Sequence, residues 1–136
     1  MTLSTRHIET IVDTILREVA EVKVIYLFGS LAEGRGQSFS DVDLALWGEE
    51  GLDALAKYHL QQDLAARINR DVDLIDMRTA SLTLNNEIVQ RGQLLYSDPE
   101  FDRPRFELGV ISRFLDFQEA TRDLREAIRQ RGYVHG

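Results

Sequence analysis

The chain has 136 residues, 43% apolar and 29% charged, which supports one globular core over residues 1–136 and is too short for two. Sixteen Lys and Arg against 23 Asp and Glu leave a net charge of -7, a surface that disfavours non-specific adhesion to nucleic acid or an anionic membrane but leaves room for a local nucleotide site. The absence of cysteine excludes disulfides and thiolate metal centres.

Residues 4 to 20 predict a helix. Ile8, Ile11, Val12, Ile15, Leu16 and Val19 fall on one face at i, i+3, i+4, i+7 spacing, with Ser4 or Thr5 as its cap. Val24 to Phe28 is β-branched and aromatic and stops at Gly29, so it predicts a buried strand. Residues 29 to 40, rich in Gly and Ser, predict a turn and loop. From Asp41 to Trp47 the chain alternates: Val42, Leu44 and Leu46 share one face, and Asp41, Asp43 and Ala45 the other. Leu52 to Ile68 predicts a second helix, Asp71 to Asp76 a third strand, residues 80 to 91 a short helix and Leu94 to Tyr96 a last strand. A polar, proline-bearing connection, Ser97 to Pro104, leads into a long helix over 105–131. This order predicts an α+β layer, a small mixed sheet with helices packed on it. One tetrapeptide occurs twice, Asp41-Val-Asp-Leu44 and Asp71-Val-Asp-Leu74.

The chemistry concentrates between Gly29 and Asp43. A glycine at a strand end lets backbone approach a ligand closely. Ser30 then offers a hydroxyl and an amide to a phosphate, and a helical turn starting near Leu31 would add amides of its own. Asp41 and Asp43, two apart on one strand, leave the same face with Cα atoms about 6.5–7 Å apart. Carboxylates so placed can share divalent ions about 3.5–4 Å apart, as two-metal phosphoryl chemistry requires, and hard oxygen donors suit Mg²⁺. Either part alone describes an ordinary turn or a solvated strand face. Joined across ten residues, with Gly34 and Ser40 also in place, they describe a site. No Gly-Lys-Ser/Thr follows the glycines, which argues against a P-loop. His7, His59 and His135 match no zinc spacing.

Gly29-Ser30, ten residues, then Asp41-Val42-Asp43 resembles the signature of the polymerase-β-like nucleotidyltransferases. The fuller form, Gly-Ser-x-Ala-x-Gly followed by Ser-Asp-x-Asp-Leu, is similar to the minimal nucleotidyltransferases that serve as antitoxins to HEPN-type toxins. The match is dense over residues 23 to 47 and loose over the rest. The resemblance implies the polymerase-β-like fold and a third carboxylate on a later strand. Val72 to Asp76 offers Asp73, which shares a face with the first pair if Val72 and Leu74 face the core, and Asp76 as the fallback.

It further implies a Mg²⁺-dependent enzyme with two ions, Asp41, Asp43 and Asp73 being catalytic and metal-binding. Gly29, Ser30 and Arg35 would bind the nucleotide. The donor would be ATP, and the acceptor a hydroxyl, a tyrosine, on a cognate HEPN-type toxin, with no direct contact to nucleic acid or membrane. The rivals are an antitoxin that acts by binding alone and a small-molecule adenylyltransferase of the aminoglycoside-modifying kind. Lys23, Arg67 and Arg70 are further candidates to flank the site.

Two expectations concern the rest of the chain. The longest apolar run, Val24 to Phe28, is too short to span a bilayer, and residues 1 to 7 lack the apolar core of a signal, so the expected compartment is the cytoplasm. The last helix carries Phe106, Val110, Phe114 and Phe117 on one line, and Leu108, Ile111, Leu115, Leu124 and Ile128 on another. That face either clamps the helix across its own domain or docks a partner, with Glu107, Asp116, Glu119, Asp123 and Glu126 flanking it to meet a basic surface.

Overall fold

The structure is a computed structural model and describes residues 3–34 and 41–131. Helix α1 spans Thr5–Glu18, and Ser4 caps it by accepting from the His7 amide at 3.1 Å. A left-handed Glu21 (φ 61°) turns the chain into β1, Val22–Phe28. Strand β2 follows at Val42–Gly48 and helix α2 at Ala54–Ile68. Helix α2 starts two residues later than the apolar spacing predicts. Asp53 takes the cap and accepts from the Ala56 amide at 2.7 Å, which leaves Leu52 outside the helix. Asn69 ends it in a left-handed conformation (φ 55°). Then come β3 (Val72–Asp76), α3 (Leu82–Arg91, capped by Ser81), β4 (Gln93–Ser97) and α4 (Arg103–Gln130). Asp102 caps α4 and Pro104 sits in its first turn, where the missing N–H costs nothing. Each element predicted from the sequence is present, with ends moved by a few residues.

The four strands lie in the order β3-β2-β1-β4. Strand β1 runs antiparallel to both neighbours, while β2 and β3 are parallel, a pairing that needs a crossover and obtains it from α2. On one face Ile25, Leu27, Val42, Leu44, Leu46 and Leu74 pack against Ile11 and Ile15 of α1 and Leu60, Leu64 and Ile68 of α2. On the other face Val24, Tyr26 and Ala45 pack with Met77 and with Ile88 of α3. At one end of that face Trp47 stacks on Phe101 (ring centroids 5.5 Å apart) and meets Phe106 (5.3 Å). Among the described residues no helix is long and apolar enough to cross a membrane.

A partly buried polar contact ties the start of α4 to the sheet. The Tyr26 hydroxyl, at the end of a side chain only 1% exposed, donates to Glu107 Oε2 at 2.6 Å, and Arg103 holds the other carboxylate oxygen at 3.1 Å. Burial first, and then the bond to the Glu107 carboxylate, push the phenol well above its usual range, so Tyr26 remains a neutral donor. Tyr26→Phe is expected to cost about 1–2 kcal/mol, because Glu107 loses a partner in a place that water reaches poorly. Urea unfolding followed by circular dichroism measures this.

Candidate active site

The repeated tetrapeptide has a structural meaning. In the parallel pair, Val42 lies opposite Val72, Asp43 opposite Asp73 and Leu44 opposite Leu74, and the Val42 amide donates to the Asp71 carbonyl at 2.8 Å. The valines and leucines face the α1/α2 layer. By alternation, Asp43 and Asp73 leave the opposite face together. Neighbouring strands lie about 4.8 Å apart, so two carboxylates at matched positions are close enough to repel. The effect is visible at Asp43: burial first, then Asp73 and Asp41, raise its carboxyl above the usual range.

Gly29 faces the same place. It follows Phe28, which pairs with Asp43, and it sits at φ 78°, a conformation that favours glycine. A Cβ added there would collide with the Asp43 carboxylate. From Gly29 the chain enters a turn in which the Glu33 amide donates to the Gly29 carbonyl at 3.2 Å and the Gly34 amide to the Leu31 carbonyl at 3.2 Å. Leu31, 1% exposed, anchors this turn in the α1/α2 core. Ser30, half-buried, lies inside this turn, between the bonded Gly29 and Glu33. Antiparallel pairing thus brings the Gly29-Ser30 corner against the first residues of β2.

The structure therefore brings together Gly29, Asp43 and Asp73, with Ser30 adjacent to Gly29 and Asp41 at the exposed start of β2. Arg35, with Gly36 to Ser40, lies outside the described residues, as does His135. Among the described residues no group of three or more His, Asp or Glu side chains is arranged to hold a metal ion. The arrangement is an in-register Asp43–Asp73 pair with Asp41 two residues before Asp43, both neighbours acting on Asp43 through their charge. Its donor chemistry fits magnesium: hard carboxylate oxygens, few of them, mutually repelling until a cation draws them together.

Asp76 is placed differently. It is 5% exposed and points to the opposite side from Asp73. Its carboxylate accepts from the Leu52 amide at 2.9 Å and the Arg78 amide at 3.0 Å, holding the entry to α2 against the end of β3. It is a buried structural acceptor and neither a solvated strand end nor a member of the cluster. Nor does Lys23 flank the site. Lys23 is at the far end of β1, bonded to Asp98 at 3.2 Å, and Arg67 pairs with Asp63 one helical turn away at 2.8 Å.

A cleft of about 470 Å³ also lies at the far end, lined by Lys23, Trp47, Glu49, Asp98, Phe101 and Arg105 among others. Trp47 is opposite Val24 whereas Asp43 is opposite Phe28. Four residues of strand, about 13 Å, separate the two. With Glu49, Asp98, Glu100 and Asp102 on its walls, this cleft is poorly suited to a triphosphate. Asp43 and Asp73 do not line this cleft.

Comparison with known proteins agrees with this fold. The model of the family "Polymerase beta, Nucleotidyltransferase" matches residues 9–101. Protein adenylyltransferase MntA of Shewanella oneidensis is 35% identical over 100 residues, 74% of this chain and 71% of that protein. Probable protein adenylyltransferase MntA of Haemophilus influenzae is 33% identical over 91 residues, 66% of this chain and 79% of that protein. Among solved structures, a toxin–antitoxin with AMP-PNP superposes with a TM-score of 0.81 at 30% identity, covering 90% of this chain and 98% of that one. The structure of a tri-AMPylated Shewanella oneidensis HEPN toxin in complex with MNT antitoxin superposes with a TM-score of 0.78 at 27% identity, covering 93% of this chain and 99% of that one. The mixed four-stranded sheet, the paired strand aspartates, the glycine corner and the family match lead to one conclusion: the chain belongs to the polymerase β nucleotidyltransferase family.

Proposed function

We propose that this nucleotidyltransferase is a Mg²⁺-dependent protein adenylyltransferase that moves AMP from ATP to a hydroxyl, a tyrosine's, on a HEPN-type toxin, and so acts as its antitoxin in the cytoplasm. The observation that carries the proposal is the in-register Asp43–Asp73 pair facing the Gly29 corner. The relatives named for protein adenylylation, and the superposable antitoxin bound to an AMPylated HEPN toxin, support the choice of acceptor.

In this reading Asp41 and Asp43 hold magnesium, and Asp73 completes a second metal position. Bound there, magnesium would supply charge neutralisation for the triphosphate and the leaving group. The Ser30 hydroxyl and the amides beside it hold the β- and γ-phosphates, with Arg35 as a further anchor. The Asp73 carboxylate takes the proton of the attacking hydroxyl. Its oxygen forms a bond to the α-phosphorus, the bond from that phosphorus to the β-phosphate oxygen breaks in line, and pyrophosphate leaves.

Incubation with labelled ATP and Mg²⁺, with and without the cognate HEPN toxin, tests this reading. Label is expected on the toxin with wild type and is expected to vanish with Asp41→Asn/Asp43→Asn. Full neutralisation of the toxin by that double variant would replace the enzyme with an antitoxin that works by binding alone. Label passing to an aminoglycoside and not to the toxin would replace it with a small-molecule enzyme.

A further inference from the structure

Helix α4 has 28 residues, a length of about 42 Å, and it outruns the domain that it belongs to. Val110 is its sole buried residue, and α3 is the helix it packs against. Beyond Phe114 every described side chain of α4 is exposed except Thr121, which is half-buried. That segment is not polar. Phe117 is 48% exposed, Leu124 62% and Ile128 43%.

The spacing of these residues is regular. Val110, Phe114, Phe117, Thr121, Leu124 and Ile128 are separated by 4, 3, 4, 3 and 4 residues. This is a heptad seam, the pattern by which one helix receives the knobs of another. It also regroups the helix. Leu124 and Ile128 continue the line of Val110 and Phe117; they do not belong with Leu108, Ile111 and Leu115. The seam is the same face that packs inside the domain at Val110, carried on for about three turns with nothing among the described residues to cover it.

Its flanks are specific too. The positions bordering the seam hold Ile111, Gln118 and Arg125 on one side, and Arg113, Ala120 and Ala127 on the other. Neither arginine has an ion pair among the described residues, and no acid borders the seam. Asp116, Glu119, Asp123 and Glu126 lie on the opposite side of the helix, so the acidic flank expected from the sequence is not at this face. Glu107, the fifth of that group, is committed to Tyr26 and Arg103.

We infer that the 110–128 seam of α4 docks a helix of the toxin partner, one with an apolar seam of its own bordered by acidic residues. The 3–4 spacing calls for a helix. The small Ala120 and Ala127 let it approach closely, and Arg113 and Arg125 call for acids. A second copy of this chain would offer those arginines none. The inference rests on the antitoxin reading above.

Affinity for the cognate HEPN toxin, measured without ATP by surface plasmon resonance, provides the test. Phe117→Glu/Leu124→Glu alters only exposed side chains, so it is expected to fold and to keep its thermal shift with Mg²⁺ and ATP, yet to bind the toxin about 100-fold more weakly. Leu108→Glu/Leu115→Glu, equally exposed but off the seam, is expected to bind within about threefold of wild type. Arg113→Glu/Arg125→Glu is expected to lose about tenfold, with the loss shrinking at high salt. If wild type binds and the seam variant binds equally well, this inference falls while the antitoxin reading stands. If the seam variant instead disperses a dimer of this chain and keeps its toxin affinity, the occupant is a second copy and the inference is overturned. If wild type itself does not bind the toxin, the antitoxin reading fails and this inference with it.

Discussion

Asp43→Asn will abolish nucleotidyl transfer and leave the metal-free protein more heat-stable than wild type. The two effects have one origin. Asp43 is partly buried on the sheet face with Asp73 beside it and Asp41 near, and all three influences raise its carboxyl above the usual range. Holding it ionised therefore works against the fold. The sign follows from linkage: a carboxyl whose folded value is raised binds its proton more readily in the native state, so its destabilising effect grows as pH rises through the window above the ordinary value of 3.8. Without divalent metal, the melting temperature of wild type should fall across that window and that of Asp43→Asn should fall less. Mg²⁺ with ATP should reverse the order, because a bound cation favours the ionised cluster and stabilises the native state by mass action. Transfer in the variant should drop by about 10³-fold or more, the several kcal/mol that a metal contributes to such a step. Differential scanning calorimetry with and without Mg²⁺, alongside the label assay, measures both. A variant that is less stable than wild type under metal-free conditions would make Asp43 a structural residue.

Gly29→Ala is expected to be nearly as damaging, for a steric reason. The left-handed φ of 78° costs a residue with a Cβ about 1–2 kcal/mol. The added methyl would also strike the Asp43 carboxylate, so either the corner or the aspartate must move. A displacement of about 1 Å in a group that positions reactants costs about 10²-fold in rate. Gly34→Ala is the internal control. Gly34 has nearly the same backbone angle, φ 75°, yet a Cβ there meets nothing among the described residues. Both variants should lose similar stability from backbone strain, but Gly29→Ala alone should also lose its Mg²⁺-dependent thermal shift. Equal shifts in the two would mean that Gly29 plays no part in shaping the aspartate site.

Much of this was legible in the residues because it depends on short-range periodicity. Alternation in Asp41 to Trp47 fixes which side chains leave together, and the same alternation in Asp71 to Asp76 picks Asp73 over Asp76 once Val72 and Leu74 face the core. The echoed tetrapeptide even carries the register, since like residues lie opposite one another in the parallel pair. What escaped depends on contacts distant along the chain. Nothing local to Asp76 announces that it will hold the amide of Leu52, 24 residues away. Lys23 shares a strand with the approach to the site, but strand direction carries it to the far end, beside Asp98. In α4 both the apolar positions and their division into lines follow from 3.6 residues per turn, and the burial of Val110 adds only which line faces the domain.

In the proposed mechanism Asp41, Asp43 and Asp73 together hold divalent cations opposite the Ser30 corner. Crystals grown with Mn²⁺ and AMP-PNP test it most directly, through anomalous scattering at the manganese edge. Manganese density within ligand distance of the carboxylates of all three aspartates, with the triphosphate reaching Ser30, is the predicted result. Manganese bound elsewhere, or bound without Asp73, would contradict it.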